Sequence, residues 1–311
     1  MKERPVVDSA TDCWLDWLVR GRDAGDIEAR RHTLAMLLPI REEILDKANI
    51  QPGETVLDVG TGEGLLGIAA LQRVGEAGRV IFADISAPLL DNVRGAVAAL
   101  GALDRSSFHV TSAETLAEIP DQCVDLVTTR SVLIYVAERQ AAFNAFARVL
   151  RPGGRICLHE QLASFFLGEN SSWGSFFGWD VSDVAAMAER VKEFYRSPGD
   201  NITSPMLTIS AHGLIHDAET AGFSDITATL TSTSRSHLPG DKALVHRTLH
   251  GRPNPNMLSP AEVAREILSP DDADDFIAAL ELAVRAGRGR LRQASVLVQG
   301  TIGQLGSSSL G

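Results

Sequence analysis

Short apolar runs alternate with helical patterns between residues 54 and 160 of this 311-residue chain. Two of the runs, Thr55–Val59 and Arg79–Ala83, are short and lie next to glycine-containing turns, as expected of buried strands. The segment Leu65–Arg73 between them has the spacing of a helix. Such alternation predicts a parallel sheet with right-handed crossovers and helices on both faces.

The same pattern extends through most of the chain, with one long interruption after Glu160. The other predicted strands are Ser107–Val110, Val124–Thr128, Arg155–His159, Asp225–Leu230 and Ala294–Val298. The other predicted helices are Pro88–Leu100 with Ser86 as N-cap, Ala141–Leu150, His212–Ala221, Ala261–Leu268 and Asp271–Arg285. Seven strands in this order predict a doubly wound α/β fold.

Regions outside the alternation divide the chain further. The expected parts are an N-terminal helical cap (1–50), an α/β core (51–160), an aromatic-rich lid insertion (161–211), the rest of the core with a helical insertion at about 235–290 (212–300), and a flexible tail (301–311). The lid is distinctive because nearly half of the 17 aromatic residues fall in it.

Charge and composition exclude several classes of protein. The formal net charge is −11, and nucleic acid is bound mainly by Lys and Arg, so nucleic acid is not expected as a partner. Neither a run of about 18 apolar residues nor a signal-peptide core is present, so we expect a cytoplasmic protein that does not enter a membrane. The three cysteines form no CxxC pair, and His212 and His216 lack a third ligand nearby in sequence, so no metal site is predicted.

A glycine-rich loop, Asp58-Val59-Gly60-Thr61-Gly62-Glu63-Gly64, joins the first strand to the first helix of the alternation. Glycines let the main chain approach a ligand, and a helix N-terminus offers free N–H groups, so the loop indicates a nucleoside-cofactor site. The dinucleotide pattern G-x-G-x-x-G requires a third glycine where Leu65 stands, which disfavours NAD(P). An acidic residue at the strand end suits the ammonium group of S-adenosylmethionine.

The pattern acidic-x-Gly-x-Gly-x-Gly resembles motif I of the class I S-adenosylmethionine-dependent methyltransferases. Cys123–Val127 resembles the fourth-strand motif of that family, and Arg148–Arg155 its helix–turn–strand motif before the fifth strand. The chain is most similar to the ubiquinone/menaquinone-biosynthesis-like group of small-molecule methyltransferases. The resemblance covers about residues 50–160. It implies a seven-stranded, mostly parallel, Rossmann-like sheet with N-terminal helices and helical lid insertions.

The resemblance also implies which residues bind S-adenosylmethionine. Asp84 is expected to accept hydrogen bonds from the ribose hydroxyls, and the segment Ser112-Ala113-Glu114 to hold the adenine. Arg130 is assigned to the cofactor, although a substrate anion or a structural ion pair would suit it equally. The full expected set is Asp58, Gly60, Thr61, Gly62, Gly64, Asp84, Ile85, Ser112, Ala113, Glu114 and Arg130.

Residues for catalysis and for the acceptor are expected at the carboxyl ends of the fourth and fifth strands and in the aromatic segments. The catalytic candidates are Tyr135, His159 and Glu160, and the substrate candidates are Trp14, Trp17, Phe165, Trp173, Phe176 and Phe177. The alternatives are a packed tyrosine, a histidine satisfied at a strand end, and aromatic residues that form the core of the insertion.

The predicted function is methyl transfer from S-adenosylmethionine to a small, partly apolar metabolite by in-line displacement, with release of S-adenosylhomocysteine. Two alternatives stay open, a non-catalytic cofactor-binding regulatory protein and an NAD(P)-dependent oxidoreductase. The sequence names neither the acceptor atom nor the metabolite. It leaves the oligomeric state open, with a homodimer as one option.

Overall fold

The computed structural model describes residues 12–163, 174–196 and 203–303, which belong to two compact units. The α/β unit comprises Leu38–Ser164, Pro198–Ser232 and Ala294–Gly311, and the helical unit comprises Met1–Leu37, Phe165–Ser197 and Thr233–Gln293. The substrate candidates Phe165 and Trp173 lie outside the described residues, as does the predicted tail from residue 304 onwards.

Within the described residues, nine strands form one large sheet and one small ribbon. They are β1 (Thr55–Val59), β2 (Arg79–Asp84), β3 (Ser106–Val110), β4 (Val124–Arg130), β5 (Leu150–Gln161), β6 (Ser175–Phe176), β7 (Trp179–Asp180), β8 (Phe223–Ser236) and β9 (Arg290–Ile302). The large sheet has the order β3-β2-β1-β4-β5-β9-β8, and β6 pairs with β7. Strands β1 to β5 are parallel and β9 is antiparallel to β5, so the predicted seven-stranded, mostly parallel sheet is confirmed.

Eleven α-helices are found in the described residues. They are α1 (Cys13–Asp16), α2 (Ile27–Ala48), α3 (Gly67–Arg73), α4 (Ala87–Ala99), α5 (Arg139–Val149), α6 (Ala185–Arg196), α7 (Thr203–Thr208), α8 (Ala211–Thr220), α9 (Lys242–His250), α10 (Pro260–Ile267) and α11 (Pro270–Ala286). A short π-helix over Trp17–Gly21 follows α1. The boundary between the two units falls within α2, after Leu37.

One core cluster of the α/β unit lies against one face of the sheet. Val56 and Leu126 on the strands pack with Ile44 from the end of α2, Leu71 from α3 and Val93 from α4, and all five are almost fully buried. Helix α4 begins after Ser86, whose hydroxyl accepts a hydrogen bond from the N–H of Leu89 at 3.2 Å, as predicted for an N-cap.

The order of strands creates an open crevice next to β1. Strand β1 has β2 on one side and β4 on the other, so the connections that leave its carboxyl end and that of β4 turn to opposite faces of the sheet. Open α/β sheets bind ligands at this point of reversal. The loops after β1, β2, β3, β4 and β5 therefore define the region in which a site is expected.

Two local predictions differ from the structure. The segment Pro152–Gly154, predicted to be a turn, belongs to β5, which begins directly after α5 and pairs with β4 across an irregularity between Val124 and Leu126. Helix α9 was not predicted because only three of its residues, Ala243, Val245 and Leu249, are buried, so its apolar pattern is weak.

The helical unit contains α1, the start of α2, the β6–β7 ribbon, α6 and α9 to α11. It therefore combines segments that the sequence analysis treats as a cap, a lid and a later insertion. Its core includes Phe176 of the ribbon and Phe276 of α11, whose ring centroids are 5.1 Å apart and edge to face. A buried Asp23 accepts a hydrogen bond from Thr33 at 2.6 Å, and Arg247 donates to the same Thr33 at 2.9 Å.

Candidate functional site

The loop after β1 is held by the side chain of Asp58. Its Oδ2 accepts hydrogen bonds from the hydroxyl of Thr61 at 2.7 Å and from the N–H of Gly67 at 2.9 Å. Its Oδ1 accepts from the hydroxyl of Thr128, the neighbouring position on β4, at 3.3 Å. Asp58 is 2% exposed, so its hydrogen bonds hold the loop from the buried side.

Burial also sets the ionisation of this carboxylate. Removal from water raises the pKa of Asp58 to about 6, and the three hydrogen bonds oppose the rise. The negative charge of Asp84 adds a smaller upward contribution. Asp58 was expected to meet the ammonium of the cofactor, and the structure adds that its oxygens already hold the loop and Thr128.

Two glycines of the loop are required by geometry. Gly60 has φ +63°, and a Cβ there would lie 2.4 Å from Cγ2 of Val132 in the loop after β4. Gly64 has φ +83°, and a Cβ there would lie 2.5 Å from Cδ1 of Ile68. Both positions therefore exclude a side chain by conformation and by close approach.

Asp84 ends β2 and faces the glycine loop. Its Oδ2 accepts a hydrogen bond from the N–H of Gly62 at 2.8 Å, and its Oδ1 accepts from the N–H of Ser86 at 2.9 Å. Both donors are main-chain groups, which hold the carboxylate at the carboxyl end of β2. The next residue, Ile85, is 52% exposed, which leaves an apolar surface beside the carboxylate.

The turn after β3 lies beside the end of β2. The N–H of Thr111 donates to the carbonyl of Asp84 at 2.9 Å, which joins the two strand ends. Ser112 and Thr115 share a hydrogen bond between their hydroxyls at 3.2 Å, and Ala113 between them is buried. The expected adenine segment Ser112–Glu114 is thus next to the expected ribose ligand.

The loop after β4 is organised by a buried carboxylate from β5. Glu160 is fully buried and accepts hydrogen bonds from the N–H groups of Val132, Leu133 and Ile134, each at 3.1 Å, and from the hydroxyl of Thr129 at 3.2 Å. Burial raises the pKa of Glu160, while these donors lower it. All four of these donors belong to the protein itself, which accounts for Glu160 as a residue that shapes the loop.

Comparisons with known proteins show which families the chain is similar to. Residues 56–154 match the family described as methyltransferase domain. The ubiquinone/menaquinone biosynthesis C-methyltransferase UbiE of Hydrogenovibrio crunogenus is 34% identical over 120 residues, which are 39% of this chain and 47% of the relative. UbiE of Salmonella paratyphi B is 26% identical over 195 residues, 62% of this chain and 77% of the relative. Over residues 56–154 the chain is therefore similar to methyltransferase domains.

Solved structures share the fold of this chain. Protein YcgJ of Bacillus subtilis superposes with a TM-score of 0.50 at 15% identity, covering 88% of this chain and 99% of YcgJ. Protein BH2331 of Bacillus halodurans C-125 superposes with a TM-score of 0.51 at 16% identity, covering 85% of this chain and 99% of its own. The match to UbiE of Hydrogenovibrio crunogenus spans about half of that relative.

The remaining catalytic candidates lie near the carboxyl ends of β4 and β5. Arg130 is the last residue of β4 and pairs in register with His159 of β5. Ser131 follows with φ +53°, and its N–H donates to the carbonyl of His159 at 2.8 Å. Tyr135 ends the short 3₁₀ helix that Glu160 holds, and its side chain is half-buried.

His159 is 6% exposed and is held neutral. Burial, together with the nearby charge of Arg130, lowers the pKa of His159 to about 4. Such a group is uncharged at pH 7 and is poorly matched to a general base, which works best near the operating pH.

The aromatic substrate candidates that can be described belong to the helical unit. The ring centroids of Trp14 and Trp17 are 6.0 Å apart, and the indole N–H of Trp17 donates to the carbonyl of Arg252 at 2.8 Å. Phe176 is fully buried, and Phe177 lies 4.4 Å from it, centroid to centroid. These contacts suit core packing within the unit, and a role in acceptor binding stays a prediction.

Sequence reasoning missed two parts of the site. Thr128 was treated only as part of a strand, although the strand register places it beside Asp58. Val132 carried no signal because its contact with Gly60 joins residues that are distant in sequence.

Within residues 12–163, 174–196 and 203–303, no group of three or more His, Cys, Asp or Glu side chains could hold a metal ion. Among the helices described there, none is long and apolar enough to cross a membrane.

Proposed function

We propose that the protein transfers a methyl group from S-adenosylmethionine to a small, partly apolar metabolite. The observation that carries the proposal is the adjacency of three binding segments along the order β3-β2-β1. They are the Ser112–Glu114 turn, the carboxylate of Asp84 and the loop Gly60–Gly64. Their order suits a ligand with a purine, a ribose and a charged chain.

The residues of these segments fit S-adenosylmethionine by their chemistry. Asp84 offers carboxylate oxygens to the two ribose hydroxyls, and the exposed Ile85 offers an apolar surface to the adenine ring. The glycine loop brings main-chain N–H groups close to the amino-acid part of the cofactor because neither Gly60 nor Gly64 carries a side chain. A pyrophosphate is not needed to explain this loop.

The cofactor, when bound, supplies a methyl group already activated on a sulfonium, so in-line displacement needs mainly alignment of the acceptor. The chain then has to orient the acceptor and exclude water. The loop after β4 is suited to orientation because Glu160 fixes its main chain through three N–H groups. The two relatives described above are C-methyltransferases of ubiquinone and menaquinone biosynthesis, which supports carbon as the acceptor atom.

Calorimetric titration tests the cofactor assignment directly. We expect S-adenosylmethionine and S-adenosylhomocysteine to bind the wild-type protein and NAD not to bind. Asp84→Ala removes the ribose ligand, and two hydrogen bonds to a charged acceptor are worth about 1.5–3 kcal/mol each, so affinity should fall about 100-fold or more. Asp91→Ala, an exposed carboxylate on α4, is the matched control and should bind normally.

Three outcomes would contradict parts of the proposal. If neither sulfur compound binds, the methyl-donor assignment is wrong, and heat with NAD alone would support an oxidoreductase. If Asp84→Ala binds as tightly as the wild type, Asp84 is not a ribose ligand. If the cofactor binds but no S-adenosylhomocysteine forms with any member of a panel of small aromatic and quinol acceptors, a non-catalytic binding protein becomes the better explanation.

A further inference from the structure

The side chain of His159 has an unused polar atom. Its Nδ1 is buried and has no hydrogen-bond partner in the part of the chain that the structure describes. The side chain of the neighbouring Glu160 lies on the opposite face of β5, and both of its carboxylate oxygens accept hydrogen bonds. An unsatisfied buried polar atom costs about 1–3 kcal/mol, so it calls for a partner that the protein alone does not supply.

A second buried polar atom of this kind lies on the first residue of the loop after β4. The hydroxyl oxygen of Ser131 is also buried without a hydrogen-bond partner among the described residues. Ser131 is tied to His159 by the 2.8 Å main-chain hydrogen bond, so the two residues are direct neighbours. Its φ of +53° is uncommon for a residue other than glycine, and such strain is concentrated at functional sites.

The strand order assigns these atoms to the acceptor and not to the cofactor. Most of the proposed cofactor contacts lie at the ends of β1, β2 and β3, whereas Ser131 follows β4 and His159 lies near the end of β5, on the other side of β1. Neighbouring strands are about 4.8 Å apart, so the end of β5 is roughly 10 Å from the end of β1. A ligand that extends from the methyl group over β4 would reach them.

We propose that His159 and Ser131 form a subsite for a hydroxyl group of the methyl acceptor, an inference that rests on the proposed function. A neutral imidazole nitrogen can accept a hydrogen bond from the acceptor's hydroxyl group, and the serine hydroxyl can donate a hydrogen bond to the oxygen of that group. A hydroxyl group satisfies both atoms because it donates once and accepts twice. His159 is then a binding residue that orients the acceptor, with no proton transferred to it.

Binding of matched probes to the protein saturated with S-adenosylhomocysteine tests the subsite. The probes are 2-hexylhydroquinone and hexylbenzene, which share the ring and the alkyl chain and differ in their hydroxyl groups. We expect the hydroquinone to bind the wild type at least tenfold more tightly. His159→Leu should remove this preference, His159→Asn should restore part of it by keeping a polar atom near the position of Nδ1, and Ser131→Ala should reduce it threefold or more.

The matched control is His109→Leu, a half-buried histidine on β3 that should leave the preference unchanged. A measurement on the wild type covers the case in which His159→Leu does not fold. In ¹⁵N spectra of the histidine side chains, hexylhydroquinone should shift the ring nitrogens of His159, and hexylbenzene should not.

The outcomes separate this inference from the proposed function. Failure of S-adenosylhomocysteine to bind the wild type refutes the proposed function itself. If it binds, the subsite is refuted by any of three results: equal affinity for both probes, no binding of the hydroquinone, or an unchanged preference in His159→Leu. A tenfold loss of S-adenosylhomocysteine affinity in His159→Leu would show that Nδ1 serves the cofactor, which also refutes the subsite.

Discussion

Removal of the Glu160 carboxylate is the sharpest test of how the loop after β4 is held. Glu160→Ala leaves three buried N–H groups, those of Val132, Leu133 and Ile134, without their acceptor, and leaves the hydroxyl of Thr129 without its partner. The methyl group of alanine cannot accept a hydrogen bond, so it does not replace the lost oxygens.

The expected loss of stability follows from these contacts. An unsatisfied buried donor costs about 1–3 kcal/mol, so four of them set an upper range of about 4–12 kcal/mol. The variant no longer has to bury a carboxylate, and this offsets part of the cost. Removal of one partner from a buried charged contact typically costs about 3–5 kcal/mol. We therefore expect Glu160→Ala to lower the free energy of unfolding by about 3–5 kcal/mol.

Glu160→Gln is the matched control because it keeps the size of the side chain and one acceptor oxygen. It should lose about half as much stability, since its NH₂ group cannot accept from an N–H group. Urea unfolding followed by circular dichroism measures both variants. A loss below about 1 kcal/mol in a folded Glu160→Ala protein would refute the reasoning.

The two variants also separate a structural role from the catalytic role predicted for Glu160. A structural role predicts that methyl transfer falls in parallel with the order of the loop, and that Glu160→Gln keeps substantial activity. A Glu160→Gln protein that is as stable as the wild type and inactive would instead support a catalytic carboxylate.

Two further predictions concern the loop after β1. Because burial raises the pKa of Asp58 to about 6, its stabilising contribution is present below about pH 4 and is lost as the pH rises through 6, by about 3 kcal/mol. Asp58→Asn should lack this decline in urea unfolding between pH 4 and 7, and parallel curves for the two proteins would contradict the assigned pKa. Gly60→Ala should destabilise the protein by about 1–3 kcal/mol and weaken S-adenosylhomocysteine binding, because its Cβ meets Val132 at a positive φ. The double variant with Val132→Ala should regain part of the stability, and no recovery would mean that backbone strain alone is responsible.

The sheet could be predicted from the sequence because its signals are local. Each central strand is a short apolar run such as Thr55–Val59, and its two ends are marked by turn residues. The ends of β5 and the existence of α9 could not be predicted in the same way. In β5 the segment Pro152–Gly154 lies in the irregularity between Leu150 and Arg155, both of which pair with β4, and α9 has few buried positions.

The candidate site was predictable only in part. Asp84 follows a strand at a characteristic distance from the glycine loop, so its position at the sheet edge could be read from spacing. The partners of Asp58 and Glu160 could not be, because Thr128 and Val132 reach them through strand pairing and loop packing.

The sequence by itself therefore determined that a glycine loop, an acidic strand end and a turn after the third strand lie at one edge of a parallel sheet. That follows from the alternation of strands and helices, which sends the carboxyl ends of β1 to β5 to the same side. Only the tertiary structure decided which polar atoms are used up by the protein and which are left for a ligand. Glu160 and His159 are consecutive residues with similar burial, yet one meets four donors and the other keeps Nδ1 unpaired within the described chain. The difference arises because successive side chains of a strand point to opposite faces of the sheet, where different neighbours meet them.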